Sequence, residues 1–158
     1  MIGVIYLGND AQTQERLKYI PGRLVKMANN YKDAAIECKS MAMANNIIVF
    51  YERGVRNNDI TAITYLRKNH SSIYIVLLTE QLSGDDRKAY MQCGINDTID
   101  KNASVTDFNK KINFISEREN ILFNKENFTH KILEFKIPLW KRIFDIVFSL
   151  ISIVVLSP

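Results

Sequence analysis

Cys38 and Cys93 are the residue types best suited to soft-metal or redox chemistry in this chain, and their placement supports neither. They stand far apart, form no Cys-x-x-Cys pair and have no histidine near them, which excludes a cysteine-based zinc site and a disulfide framework. Both read as small packing residues. The oxygen and nitrogen groups are more suggestive. Asn9 follows one apolar run, Tyr51 closes another and Thr79 follows a third. Polar groups after successive apolar runs are where an open α/β sheet gathers its ligand-binding side chains.

The elements that must position them are legible. Short runs rich in β-branched or aromatic residues and bounded by Gly, Asn and Ser predict strands at Ile2–Leu7, Leu24–Ala28, Ile47–Tyr51, Ile73–Leu78 and Thr98–Ile99. The intervals predict helices. Gln12–Ile20 carries Leu17 and Ile20 at helical spacing, and Tyr31–Ala44 is rich in helix formers. Ile60, Ile63 and Leu66 make an apolar stripe. Ser83 and Asp86 form a capping-box pattern before Gly84–Cys93, which Gly94 is suited to end. Ser104 and Asp107 repeat that pattern before a helix with Val105, Phe108, Ile112 and Ile115 on one face. Strict alternation of strands and helices predicts an α/β fold. The expected form is a flavodoxin-like, five-stranded parallel sheet of order 2-1-3-4-5 with helices on both faces.

The chain has 158 residues, 47% hydrophobic and 24% charged, and a net charge of +4. Lys and Arg are scattered rather than gathered into a stripe, so no nucleic-acid partner is expected. The N-terminus lacks the basic and long apolar regions of a signal peptide, which predicts a cytoplasmic location. Composition changes after the fifth helix. Residues 118–137 are charged and Asn-rich but punctuated by Ile121, Leu122, Phe123, Phe128, Ile132, Leu133 and Phe135. They read as a helix extension followed by a connector.

Over about Met1 to Ile115 the chain resembles a response-regulator receiver domain, of CheY-like fold. In that family the fourth strand ends in Thr or Ser, as Ile73 to Thr79 does. The fifth ends in Lys after an Ala-Gly-Ala-like turn, a shape that Cys93 to Lys101 fits. The family's Lys is usually followed by a cis proline. Here Asn102 follows, and a cis bond before a non-proline residue is costly, so a trans bond is expected. Phosphorylation in the family uses an Asp nucleophile after the third strand and two acidic residues after the first, which hold magnesium. Counting back from Ile60–Arg67 puts Tyr51 at the nucleophile position, or Glu52 if the loop is one residue shorter; after the first strand, Asn9-Asp10 leaves at most one carboxylate. Tyr51 cannot form an acyl phosphate. Glu52 is one methylene too long, and positioning dominates phosphoryl transfer. The resemblance therefore implies a degenerate pocket of Asn9, Asp10, Tyr51, Glu52, Thr79 and Lys101. Lys101 is expected to pair with Glu52 or Asp10. Residual metal or phosphate binding through Asp10, Glu52 and Lys101 is the alternative. In the family the Thr and a later aromatic relay the signal to the fourth helix, fifth strand and fifth helix. Without a phosphate, that surface is expected to serve as a constant docking or self-association face.

Residues 138–158 carry a second resemblance. Lys141-Arg142, Phe144-Asp145, an apolar run and Ser157-Pro158 stand in the order that opens the bacterial sugar transferases, the polyprenyl-phosphate hexose-1-phosphate transferases. From Ile146 to Leu156 only Ser149 and Ser152 are polar. A span needs about 20 apolar residues, so this length suits a re-entrant helix. Pro158 supplies the break. Lys141 and Arg142 suit snorkelling cations, Trp140 the interfacial belt, and Asp145 a pairing with Arg142.

The expectations are then these. Residues 1–117 form a receiver-like domain, 118–137 a connector or helix extension, and 138–158 the start of a membrane-associated segment, a C-terminal hydrophobic helix, of a sugar transferase that continues beyond Pro158. The domain acts by protein contact or self-association on the cytoplasmic face of the bacterial inner membrane. It holds no catalytic residue, cofactor or metal ligand itself, while the parent enzyme uses magnesium. Two alternatives are a phosphorylatable receiver and a flavodoxin-like domain binding a small ligand near Asn9, Tyr51 and Thr79.

Overall fold

In the computed structural model, which describes residues 2–41 and 46–123, each expected apolar run forms a strand. The elements run β1 (Ile2–Leu7), α1 (Ala11–Lys18), β2 (Val25–Ala28), α2 (Tyr31–Ser40), β3 (Asn46–Glu52), α3 (Arg56–Asn69), β4 (Tyr74–Leu78), α4 (Gly84–Cys93), β5 (Asp97–Ile99), α5 (Val105–Glu117) and α6 (Glu119–Leu122). All strand pairs are parallel and the order is β2-β1-β3-β4-β5. This is the α/β, flavodoxin-like arrangement that the alternating pattern predicts, and the CheY-like fold that the receiver resemblance implies.

Side chains of successive strand residues point to opposite faces, and the two halves of the core follow that rule. Val4, Tyr6, Ile48, Phe50 and Val76 pack against Leu17 of α1 and Phe108, Ile112 and Ile115 of α5. Ile5, Leu7, Val49, Tyr51, Ile75 and Leu77 pack against Ala34 and Cys38 of α2, Ile63 and Leu66 of α3, and Tyr90 of α4. Both cysteines are free. Cys38 is buried among apolar groups, and that burial pushes its thiol up to about 12.

Helix ends follow their caps. Asp10, Asn30, Ser83 and Ser104 each accept backbone N–H groups from the first turn that follows. Ser104 and Asp107 complete a reciprocal capping box. Ser83 accepts from Asp86 N, but the Asp86 carboxylate turns away to two arginines instead of back to Ser83. Gly94 ends α4 in the left-handed conformation at φ 106°, where a Cβ would press on the Arg67 side chain.

Two features differ from the expectation. The buried stripe of α3 is Asp59, Ala62, Ile63 and Leu66, with Ile60 partly exposed, because α3 is rotated to face a carboxylate inward. The fifth helix does not extend: it ends at Glu117, and the short α6 returns Phe123 to the core, 6.0 Å between ring centroids from Tyr74. Helix α2 ends at Ser40, and residues 42–45 lie outside the described residues. So do 124–158, including Trp140, Lys141, Arg142, Phe144, Asp145 and Pro158 of the sugar-transferase resemblance.

Candidate functional site

The site is built by the loops that leave β1, β3, β4 and β5 at their carboxyl ends. Strand β1 ends at Leu7 and the chain passes through Gly8. A Cβ at Gly8 would fall well inside contact with the Cβ and Oε2 of Glu52 and the hydroxyl of Tyr6. Glycine is thus what lets Glu52 lie across the β1–α1 loop. Its Oε2 accepts from Tyr6 Oη at 2.9 Å, Asn9 N at 2.7 Å and Asp10 N at 3.1 Å. A carboxylate therefore sits on the backbone amides that open α1, a favourable place for negative charge. Burial, and then the hydrogen bond and charge of Glu52, push the Tyr6 phenol far above its usual value.

Asp10 has another task. Its Oδ2 accepts from Thr13 N at 2.8 Å and Thr13 Oγ1 at 2.5 Å, as the cap of α1. The Thr13 hydroxyl, more than any other group, holds this carboxyl below the ordinary carboxylate range.

Arg53, which the sequence pattern does not single out, occupies the other side. Register sets Glu52 against Leu78, so Arg53 comes level with Thr79 at the end of β4. Its guanidinium reaches Thr79 Oγ1 at 3.5 Å and the Gln81 carbonyl at 3.1 Å, and pairs with Asp86 of α4 at 2.7 Å. It also lies 5.9 Å from the centre of the Tyr90 ring, in cation–π range. Arg56 holds the second Asp86 oxygen at 3.2 Å.

Tyr51 faces the opposite side of the sheet from Glu52, as period-two alternation requires. Its hydroxyl donates to Asp59 Oδ1 at 3.0 Å; Tyr90 donates to Asp59 Oδ2 at 2.6 Å, and Gly54 N to the same oxygen at 2.9 Å. Asp59 is 3% exposed. A buried carboxylate is tolerable when its lone pairs are filled in this way. The signal for it was its helical phase, three, four and seven residues before Ala62, Ile63 and Leu66.

Lys101 does not pair with Glu52 or Asp10. It forms an exposed ion pair with Glu80 at 2.7 Å, on the next loop, because Glu52 is already turned toward the β1–α1 loop and Asp10 toward Thr13. Glu80, by its hydrogen bond and charge, raises the Lys101 ammonium. The Lys101–Asn102 bond is trans. Arg16 of α1 steadies this loop through the carbonyls of Lys101 and Ala103, both at 3.3 Å.

The structure thus gathers Asn9, Asp10 and Glu52 in one group and Thr79 with Arg53 in a second. Tyr51 is diverted to Asp59, and Lys101 stands at the rim with Glu80. A cleft of about 570 Å³ lies over Thr79, Glu80, Asp100 and Lys101, with Glu52 and Arg53 as its wall. Magnesium wants converging oxygen ligands in near-octahedral array. Here both candidate carboxylates are turned onto hydrogen-bond donors and a guanidinium stands beside them. No group of three or more acidic, His or Cys side chains converges among the described residues. As arranged among the described residues, these side chains do not fit the ion.

Comparison with known proteins bears on the fold. No protein-family model matches the chain, and no curated protein matches it significantly. Solved structures do. The receiver domain of a Saccharomyces cerevisiae response regulator, solved with a histidine phosphotransfer protein, is 19% identical with a TM-score of 0.62, covering 78% of this chain and 95% of that one. A two-component response regulator from Clostridium difficile is 18% identical with a TM-score of 0.61, covering 76% and 99%. An atypical orphan response regulator, described as revealing a phosphorylation-independent regulatory mechanism, is 17% identical with a TM-score of 0.56, covering 78% and 100%.

Proposed function

We propose that residues 1–117 form a receiver-like docking module whose surface is fixed from within rather than switched by phosphate. The observation that carries this reading is the pair Glu52 and Arg53. The carboxylate rests on the amides of Asn9 and Asp10, and the guanidinium ties Thr79 to Asp86 of α4. An internal anion and an internal cation stand where an incoming phosphoryl group and its metal would need room. The atypical orphan regulator, of similar fold, is a precedent for control without phosphorylation. The docking surface in this reading is the side of the domain around α4 and the edge strand β5. There a cleft of about 540 Å³ opens between Thr79, Leu82, Arg87, Met91 and Thr98, with Met91 60% exposed. The occupant is a protein partner or a second copy of the chain.

The test is direct. The full chain is incubated with magnesium and acetyl phosphate, and its intact mass is measured. No phosphoryl adduct is expected. A stable adduct mapped to Glu52 or Asp10 would instead make the domain a phosphorylatable receiver.

The wider role we infer is regulatory or scaffolding. The module serves a membrane-associated, magnesium-dependent glycosyl-1-phosphate transferase that starts a surface polysaccharide at the cytoplasmic face of the bacterial inner membrane. The support is the order Lys141-Arg142, Phe144-Asp145, Ser157-Pro158 around an apolar run. Deleting residues 138–158 should move the protein from the membrane to the soluble fraction. Unchanged partitioning would count against the assignment.

A further inference from the structure

A second cleft, of about 620 Å³, lies over the carboxyl ends of β2, β1 and β3. That volume is in the range of small-molecule sites. The strand order reverses between β1 and β3, and such a switch point is where an open α/β sheet leaves a ligand crevice. The cleft shares Asn9, Tyr51, Glu52 and Arg53 with the groups described above, but it opens toward Asn29, Tyr31 and Asn58 and not toward Thr79 and Lys101.

Its rim is made of carboxamides. Asn9 comes from the β1–α1 loop, Asn29 from the β2–α2 loop and Asn58 from α3. None of these three side chains has a partner among the described residues. Neighbouring Asn30 has a plain structural task, accepting from Lys32 N and Asp33 N at 3.0 Å each as the cap of α2. Asn58 stands in the first turn of α3, and its side chain caps nothing there. Three unpartnered amides from three separate segments thus converge on one cleft, beside the half-buried ring of Tyr31.

The charges nearby narrow the ligand. The amides of Asn9 and Asp10, which would attract an anion, are filled by the chain's own Glu52 carboxylate. The Arg53 guanidinium is turned away to Asp86. Both charges in the lining are thus engaged with the chain itself, Glu52 through Oε2, and the three rim carboxamides add neutral hydrogen-bonding capacity, each offering a donor and an acceptor side by side. We propose that this cleft binds an uncharged small molecule with adjacent hydrogen-bond donors and acceptors, the chemistry that nucleosides and sugars share.

The test is a titration of the full ¹⁵N-labelled chain with adenosine, uridine, glucose and N-acetylglucosamine, with adenosine monophosphate as the charged comparison. Saturable shifts of the Asn9, Asn29 and Asn58 side-chain amides are expected with at least one neutral compound. A response confined to nucleosides or to sugars supports the proposal and identifies the source. Asn29→Leu and Asn58→Leu should each weaken binding by about tenfold, the loss of a hydrogen bond, and leave the spectrum unchanged elsewhere. No saturable shift at millimolar concentration, shifts unmoved by both variants, or tighter binding of the phosphate-bearing compound than of adenosine would overturn it.

Discussion

Nη2 of Arg53 lies 2.7 Å from Oδ2 of Asp86, so the chain just beyond β3 is tied to the first turn of α4. The same guanidinium touches the Thr79 hydroxyl and the Gln81 carbonyl. The groups through which a phosphate would act on α4 in a receiver are here held by a side chain of the protein itself.

Removing that tie should loosen α4 selectively. Arg53→Met keeps the apolar stem but loses the charge-assisted bonds. Arg56 still holds Asp86 and the pair is partly solvated, so a loss of about 1–2 kcal/mol is expected. Amide exchange should accelerate in α4 and the β4–α4 loop and stay unchanged in α1 and α5. Uniform acceleration over the whole domain would show the tie to be ordinary stabilisation.

Gly8→Ala should expel Glu52 from the β1–α1 loop. The added methyl would overlap the Glu52 side chain and the Tyr6 hydroxyl, and crowding of this kind destabilises by about 1–3 kcal/mol. Glu52→Gly removes both the Cβ and the carboxylate that the added methyl would meet. Combining the two should therefore cost less than the sum of the single changes in denaturant titrations. Strict additivity would mean that the loop moves aside instead.

Alkaline unfolding should reflect the buried phenols. Burial pushes Tyr74 and Tyr90 up to about 12, and Tyr6 and Tyr51 are raised further. A folded value above the usual 10 favours the protonated, native form. The stability these groups give is complete below pH 10 and is lost as pH rises through about 12. Phenolate absorbance of these four should therefore appear together with loss of the native circular dichroism signal. Early ionisation of Tyr90 in a still-folded Arg53→Met variant is not expected, because burial leads its upward shift and the Arg53 charge opposes it, so losing Arg53 pushes the phenol higher still.

Lys101→Ala should leave the unfolding midpoint where it is. The Lys101–Glu80 pair is exposed on both sides, and such pairs contribute little. A marked drop on substitution would mean that Lys101 reaches Glu52 or Asp10 in solution after all.

The layout of the fold was legible because short apolar runs alternate with stretches of helical character, two of which open on a Ser-x-x-Asp cap. Asn9, Asp10, Glu52 and Thr79 could be named through the receiver resemblance. Their relationships could not. Tyr51 and Glu52 were interchangeable in the sequence, since a slip of one residue exchanges the two faces of a strand. Arg53 was invisible because a long cationic side chain after a strand is ordinary surface composition until its partner, Asp86, is known. Asp59 was hidden next to Ile60, which fits an apolar stripe on its own.

By itself the sequence determined the parallel order of the sheet, the caps that start α4 and α5, and the shortage of carboxylates after β1 and β3. These follow from local propensity and from residue type. Only the tertiary structure decided that Glu52 turns toward Asn9 and Asp10, that Arg53 reaches Asp86, and that Asp59 is the inward carboxylate of α3. Each of those choices depends on strand register and on the rotation of a helix about its axis, which are set by contacts between segments far apart in the chain.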